Sequence, residues 1–322
     1  MTMHQPRSWA EALETRARHP EALPILGGTD VMVELNFDRR RPDGLLDLGR
    51  VPELTGWELR DGGRPEVRLG AAVTYADIVG HLSDFVPGLA VASRTVGSPQ
   101  IRNRGTVAGN LGSASPAGDA HPPLLATGAV VEAASVRGTR DIAIAEFFTG
   151  VKRNALADDE LIAAVRVPVR RGGQQFAKIG TRNAMVIAVA SFAVCLDAGE
   201  RTVGTGIGSA APTPRAAPEA EEFLAGELEA AGLWQVGPPA GLPDGLVHRF
   251  GELVAQAASP VDDVRGTADY RRHALAVMAR RTLGWAWADL QTELQTELQA
   301  GRAGPPGRDD AGPAHDEEGP GR

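Results

Sequence analysis

At 322 residues, 43% hydrophobic and 23% charged, the chain falls in the globular range and has the length for two domains of ordinary size. Its 33 basic against 41 acidic residues give a formal net charge of -8, which excludes a polyanion such as nucleic acid as a first reading of its partner. A single cysteine, Cys195, inside the apolar run Val189 to Leu196, excludes a disulfide framework or a thiolate-ligated cluster built from this chain alone, and it reads as a buried core residue.

The first nine residues are polar, and no apolar run approaches the roughly 20 residues of a membrane span. We therefore expect a cytoplasmic protein without a membrane span. Ser8 and Glu11 make a capping-box pattern ahead of a helix over Trp9 to Arg18, which stops at His19-Pro20. An apolar strand, Leu23 to Leu26, then runs into Gly27-Gly28, after which Thr29 or Asp30 is placed to cap a short helix from Val31 to Asn36. Asp43 to Leu48 reads as a strand, and Leu54 to Arg60 with Glu66 to Leu69 flank Asp61-Gly62-Gly63 as a hairpin.

Helices are expected from Thr74 to about Leu82 and from Pro87 to about Val96. The following stretch, Gly97 to Asp119, is polar and glycine-rich, and too ordered in residue type for an idle loop. Mixed elements continue to Val167-Pro168-Val169, where Arg170-Arg171-Gly172-Gly173 marks a domain boundary. Beyond it, strands Gln174 to Gly180, Val186 to Leu196 and Thr202 to Gly208 precede helices near Pro218 to Leu228, Leu246 to Ala257 and Thr267 to Trp285. Strands first and helices last predict an α+β unit with helices on one sheet face. Leu290, Leu294 and Leu298 form one stripe of a helical extension over 289–300, and 301–322, rich in Gly, Pro, Asp and Glu, is expected to be disordered.

The chemistry is concentrated in the glycine-rich loops. Backbone N–H groups can chelate phosphate only where no side chain blocks the approach and the backbone can turn through positive φ. Leu26-Gly27-Gly28-Thr29-Asp30, between a strand and a helix start, meets that need. Alone it is as consistent with an ordinary tight turn. A second loop, Gly105-Thr106-Val107-Ala108-Gly109-Asn110, adds two glycines, a hydroxyl and an amide, and Ser113, Ser115, Gly118 and Asp119 extend the small polar surface. Two such loops can hold the two halves of a pyrophosphate.

The order Leu-Gly-Gly-Thr-Asp, then Val-Gly-Ser-Pro-Gln-Ile-Arg-Asn-Arg-Gly-Thr-Val-Ala-Gly-Asn-Leu, then Ser115-Pro116-Ala117-Gly118-Asp119, resembles the FAD-binding medium subunit of molybdenum hydroxylases, the carbon monoxide dehydrogenase and xanthine dehydrogenase class. Phe176 to Gly180 and Asp263 to His273 extend the resemblance to about residues 5–285. It implies an α+β fold: a two-subdomain FAD-binding domain of the PCMH type over 1–170, split near 55–65, and a C-terminal α+β domain of the carbon monoxide dehydrogenase flavoprotein type over 174–288.

Position by position, the resemblance implies that Leu26, Gly27, Gly28, Thr29 and Asp30 lie along the FAD pyrophosphate and that Gly105, Thr106, Gly109 and Asn110 supply the second loop. Ser113, Gly118 and Asp119 fall at the ribityl chain or adenosine, and Leu161 and Lys178 where the flavin ring end is approached. It implies an electron-transfer subunit without catalytic or metal-binding residues of its own. Its partners would be a molybdopterin-binding large subunit and a small subunit carrying two [2Fe-2S] clusters, with electrons leaving to NAD, a quinone or oxygen. The family usually has two adjacent glycines where this chain has Ala108-Gly109. The methyl is harmless if Ala108 keeps a negative φ, and costs on the order of 1 kcal/mol or more if a positive φ is needed. Two alternatives stay open: a free-standing FAD-dependent oxidoreductase resembling the cell-wall enolpyruvyl reductases, and a flavin-free interaction protein that kept the fold.

Other features carry less. Gly204-Thr205-Gly206-Ile207-Gly208 imitates part of a dinucleotide fingerprint, but Pro212 and Pro214 stand where its helix should begin. Arg39-Arg40-Arg41 reads as a solvated loop or a partner surface, Arg102 and Arg104 as surface arginines or loop partners. Tyr270-Arg271-Arg272-His273 reads as structural, and His121 lacks neighbours at metal spacing.

Overall fold

A computed structural model describes residues 1–235 and 241–303. Its first unit is a parallel three-stranded sheet in which Gly44–Asp47 lies between Thr2–His4 and Leu23–Ile25. The two crossovers are the helices Trp9–Arg18 and Val31–Asn36. Ser8 caps the first, its Oγ accepting from Glu11 N at 3.2 Å, while the Glu11 carboxylate reaches past Ser8 to the N–H of Arg7. The strand Thr2–His4 carries no periodic signal in the sequence; parallel pairing with Gly44–Asp47 defines it.

The second unit is a five-stranded antiparallel sheet in the order Trp57–Arg60, Glu66–Gly70, Leu161–Pro168, Val130–Ser135, Gly138–Ala143. The expected hairpin is present, but Leu54 belongs to a 3-10 turn, Pro52–Leu54, outside the strand. Between Gly70 and Val130 the chain leaves the sheet through five helices, Tyr75–His81, Pro87–Arg94, Pro99–Arg102, Val107–Ser113 and His121–Thr127. The glycine-rich segment thus carries two short helices, with turns ahead of the helix starts. Leu161–Pro168 then returns to the middle of the sheet, and one hydrophobic core joins both units.

After Arg170–Gly173 the chain forms an antiparallel meander, Gln174–Ile179, Ala190–Asp197 and Thr202–Gly208. The middle strand starts four residues later than its apolar pattern suggests, because the preceding loop folds Val186 back onto Gly180, where a Cβ would lie 2.2 Å from a Val186 methyl. Ala190, Phe192, Val194 and Leu196 face the helices Pro218–Ala230, Asp244–Ala257 and Ala268–Ala303, as a sheet with helices on one face requires. Ala193 and Cys195 point the other way, onto Ala92 of Pro87–Arg94 and Ala126 of His121–Thr127.

That second contact explains the pseudo-fingerprint. A Cβ at Gly204 would lie 2.0 Å from the Ala126 carbonyl oxygen, and one at Gly206 2.0 Å from that of Pro122. The glycines let the helix His121–Thr127 lie directly on the strand, a packing role without any nucleotide. The last helix passes 288 without a break and includes 301–303; the rest of the tail expected to be disordered, 304–322, lies outside the described residues.

Candidate functional site

The two glycine loops meet. Leu23–Ile25 delivers the chain to Gly27, where a Cβ would lie 2.0 Å from the carbonyl oxygen of Arg104 and 3.1 Å from Cα of Gly105. Gly28 has φ +74, the left-handed region that glycine enters at no steric cost. Leu26 is half-buried, and its carbonyl lies 3.5 Å from the Arg104 guanidinium. Asp30 occupies the N-cap position of Val31–Asn36 but makes no side-chain cap bond. Its own backbone is already helical, at φ -97 and ψ -49, instead of extended, so the carboxylate does not turn back onto the helix and stays exposed.

The second loop is held from behind. Gly105 N donates to Ile101 O at 2.7 Å, Gly105 O accepts from Tyr75 N at 3.0 Å, and Thr106 bridges to Thr74. Thr106 caps Val107–Ser113, its Oγ1 accepting the Gly109 N–H at 2.9 Å, so this hydroxyl positions the helix start. Ala108 lies in the first helical turn with a buried side chain, 5% exposed, in the main core. Its methyl therefore points away from the loop surface, and the harmless case of the Ala108 alternative is the one observed.

The extension folds back beneath this helix. Ser113 Oγ donates to Asn110 O at 2.9 Å, and a Cβ at Gly118 would lie 2.6 Å from Asn110 Oδ1 and 2.3 Å from the His121 ring. His121 is fully buried against Phe148, with Nε2 3.3 Å from Asn110 O. Burial pulls its imidazole down to about 4, against the opposing pull of the Asn110 and Ser115 backbones. His121 is thus a neutral support of the second loop. Among the described residues no group of His, Cys, Asp and Glu could hold a metal ion.

Asp119 projects from this extension to Lys178, Oδ2 to Nζ 2.5 Å, both side chains only 10% exposed. Burial pushes the Asp119 carboxyl up to about 6 and outweighs the lowering by Lys178. Lys178 also donates to Thr95 O at 2.9 Å and to Val186 O at 3.3 Å. An ammonium has three hydrogens, and these three acceptors engage them all. Leu161 stands apart from this polar group, its side chain buried in the core at the start of Leu161–Pro168.

The structure therefore brings Gly27 to Gly105, Asn110 to Ser113 and Gly118, and Asp119 to Lys178. Two residues that sequence reasoning missed as site members, Tyr75 and His121, lie directly behind the second loop. Their signal was faint, one aromatic at a helix start and one histidine beside two prolines. The buried atoms Tyr75 Oη, Asn110 Oδ1 and Asp119 Oδ1 have no hydrogen-bond partner. Unpaired buried polar atoms are costly, so their collection around two bare glycine loops fits a large polar ligand such as a dinucleotide.

The discounted groups find local partners. Arg102 donates to Val96 O and Gly97 O, Arg41 pairs with Asp38, Arg40 lies 3.8 Å from Glu34, and Arg39 covers the Phe37 ring. Arg271 is buried and ties Val189 O and Ser209 O to Asp263, a structural role. Burial pushes the Cys195 thiol up to about 12, as an inert core residue requires.

Comparison with known proteins places the chain in one family. Residues 1–170 match the family described as the FAD binding domain in molybdopterin dehydrogenase. The nicotine 6-hydroxylase medium subunit of Paenarthrobacter nicotinovorans is 30% identical over 283 residues, 86% of this chain and 94% of that one. The carbon monoxide dehydrogenase medium chain of Afipia carboxidovorans is 29% identical over 294 residues, 87% of this chain and 94% of that one. Among solved structures, a Cu,Mo-CO dehydrogenase in its cyanide-inactivated form aligns with a TM-score of 0.79 at 28% identity, covering 90% of this chain and 98% of that chain.

Proposed function

This chain belongs to the family of FAD-binding domains of molybdopterin dehydrogenases, and we propose that its two apposed loops hold the FAD through which the electrons of a molybdenum hydroxylase complex leave. The chain is the FAD-binding medium subunit of such an oxidoreductase. Molybdopterin and [2Fe-2S] clusters belong to a large and a small partner subunit, in keeping with one buried cysteine here. When bound, FAD supplies one- and two-electron chemistry, and the protein around it binds, orients and tunes the ring. Electrons reach it from the small subunit's clusters and pass on to NAD, a quinone or oxygen.

The observation that carries this reading is the contact of Gly27 with Arg104 and Gly105. Two backbone turns bare of side chains face one another, as the two halves of a pyrophosphate need. In this reading Gly27, Gly28, Thr29 and Asp30 follow one phosphate, Gly105, Thr106, Gly109 and Asn110 the other. Ser113, Gly118 and Asp119 serve the ribityl chain or adenosine, and Leu161 backs the ring end from the core. Lys178, with its hydrogens engaged, orients Asp119 and the loop at Val186. Residues 1–170 form the flavin-binding domain and 174–288 the domain that packs over it. A cytoplasmic location completes the proposal; among the described residues no helix is long and apolar enough to cross a membrane.

Co-purification with untagged partner subunits, followed by metal and flavin analysis, tests the reading. One FAD per chain in a complex that also contains molybdenum and iron is the expected result. A stable flavin-loaded monomer that turns over substrate by itself would refute it.

A further inference from the structure

Arg104 stands at the seam of the two loops. It directly precedes Gly105, and its carbonyl passes over Gly27, where a Cβ would lie 2.0 Å from the oxygen. Its side chain runs from that seam to the first loop, where one guanidinium nitrogen lies 3.5 Å from Leu26 O. That contact is long for a hydrogen bond. The residue is exposed, and among the described residues no carboxylate pairs with it. Of the five N–H donors of an arginine fork, the fold engages one, and weakly.

The charge around the loops is incomplete without this side chain. A pyrophosphate brings a negative charge on each phosphate next to Asp30, whose carboxylate is exposed and makes no cap bond. The loops answer with backbone N–H groups and hydroxyls, which are dipoles without net charge. The cations nearby are anchored elsewhere: Arg102 to Val96 O and Gly97 O, Lys152 to Glu34, and Lys178 to Asp119, Thr95 O and Val186 O. Arg104 has no anchor of that strength. A guanidinium offers parallel donors that match two phosphate oxygens, and its long stem lets it turn from a carbonyl to an anion.

We propose that Arg104 is a further cofactor-binding residue, whose guanidinium exchanges Leu26 O for the pyrophosphate and closes over it from the seam between the loops. This rests on the reading of the site as an FAD site, and adds to it a charged clamp carried by a side chain.

The test uses the full chain freed of flavin. Arg104→Met keeps the length of the side chain and removes its charge. Its thermal midpoint without FAD equals that of the wild type, because an exposed arginine with one long contact holds little of the fold. It binds FAD about tenfold more weakly at low salt, the worth of one charge-assisted contact. The difference shrinks as salt is added, because screening weakens the ion pair that only the wild type makes. Arg104→Lys keeps the charge without the fork and recovers part of the loss.

Equal FAD affinity of Arg104→Met and wild type overturns the inference, as does an Arg104→Lys that binds no better than Arg104→Met. A loss of the same size at low and high salt also overturns it, since Arg104 then holds the loops together through Leu26 O without meeting an anion. Failure of the wild type to bind FAD would instead sink the proposed function itself.

Discussion

Lys178 Nζ lies 2.5 Å from Asp119 Oδ2 and joins the strand Gln174–Ile179 to the extension of the second glycine loop. The other two ammonium hydrogens go to Thr95 O and Val186 O, so one side chain fixes three segments around the site.

Removing one partner of a buried pair leaves an uncompensated charge, which costs about 3 to 5 kcal/mol. Lys178→Met is expected to lower stability by less than that, about 1 to 3 kcal/mol, because the Asp119 carboxyl, already at about 6, takes up a proton at neutral pH instead of staying charged, and adding Asp119→Asn should return a good part of it. Urea unfolding of the two variants measures the difference. A double variant as unstable as Lys178→Met would show that lost packing, not the stranded carboxyl, dominates.

Gly27→Ala places a methyl group where the Arg104 carbonyl stands, 2.0 Å away, and backbone cannot yield as a flexible side chain does. The loops must separate, and FAD affinity is expected to fall by about tenfold or more, the equivalent of roughly 1.4 kcal/mol. Flavin fluorescence on titration with FAD reads this directly. Affinity within a factor of two of wild type would mean that the contact between the loops does not shape the site.

Ala108→Gly restores the family's adjacent glycines, yet it should bring no gain in FAD binding. Ala108 is helical and buried, so the change removes a core methyl and a good helix former, at a cost of about 1 kcal/mol. Thermal unfolding without FAD should show the loss, and the affinity should stay unchanged. Tighter binding would show that the methyl faces the ligand.

His121 ties stability to pH. Its imidazole is held down at about 4 by burial, whereas an unfolded histidine titrates near 6.5. Between those values the unfolded chain binds a proton that the folded chain excludes. The contribution is complete above about pH 6.5 and is lost as the pH falls through about 4. It amounts to on the order of 3 kcal/mol. Replacing His121 with Gln should flatten the dependence of stability on pH across this range. Parallel wild-type and variant curves would place the acid sensitivity elsewhere.

The sequence by itself determined the elements whose signals are local. Ser8 capping Trp9–Arg18, glycines where the chain turns after Leu23–Ile25, the hairpin around Asp61 to Gly63, and the strand and helix order after Gly173 all follow from neighbouring residues. The two glycine loops ahead of helix starts were legible for the same reason: a bare backbone beside a helix start is written in a few consecutive residues. Thr2–His4 was not legible, since its strand character comes only from pairing with Gly44–Asp47, some forty residues away.

Only the tertiary structure decided what each glycine, charge and hydroxyl is for. Gly27 matters because Arg104 passes over it, Gly206 because Pro122 does, and the two look alike in the sequence. Lys178 stands alone in the sequence, yet it is tied to Thr95 O and Asp119 Oδ2 from segments far along the chain and to Val186 O from the next loop, and Tyr75, which reads as a helix residue, lies with its ring against Gly105. The physical reason is one of range. Propensity and capping act over three or four residues, whereas close packing and the pairing of buried polar atoms are set by chains that meet in space.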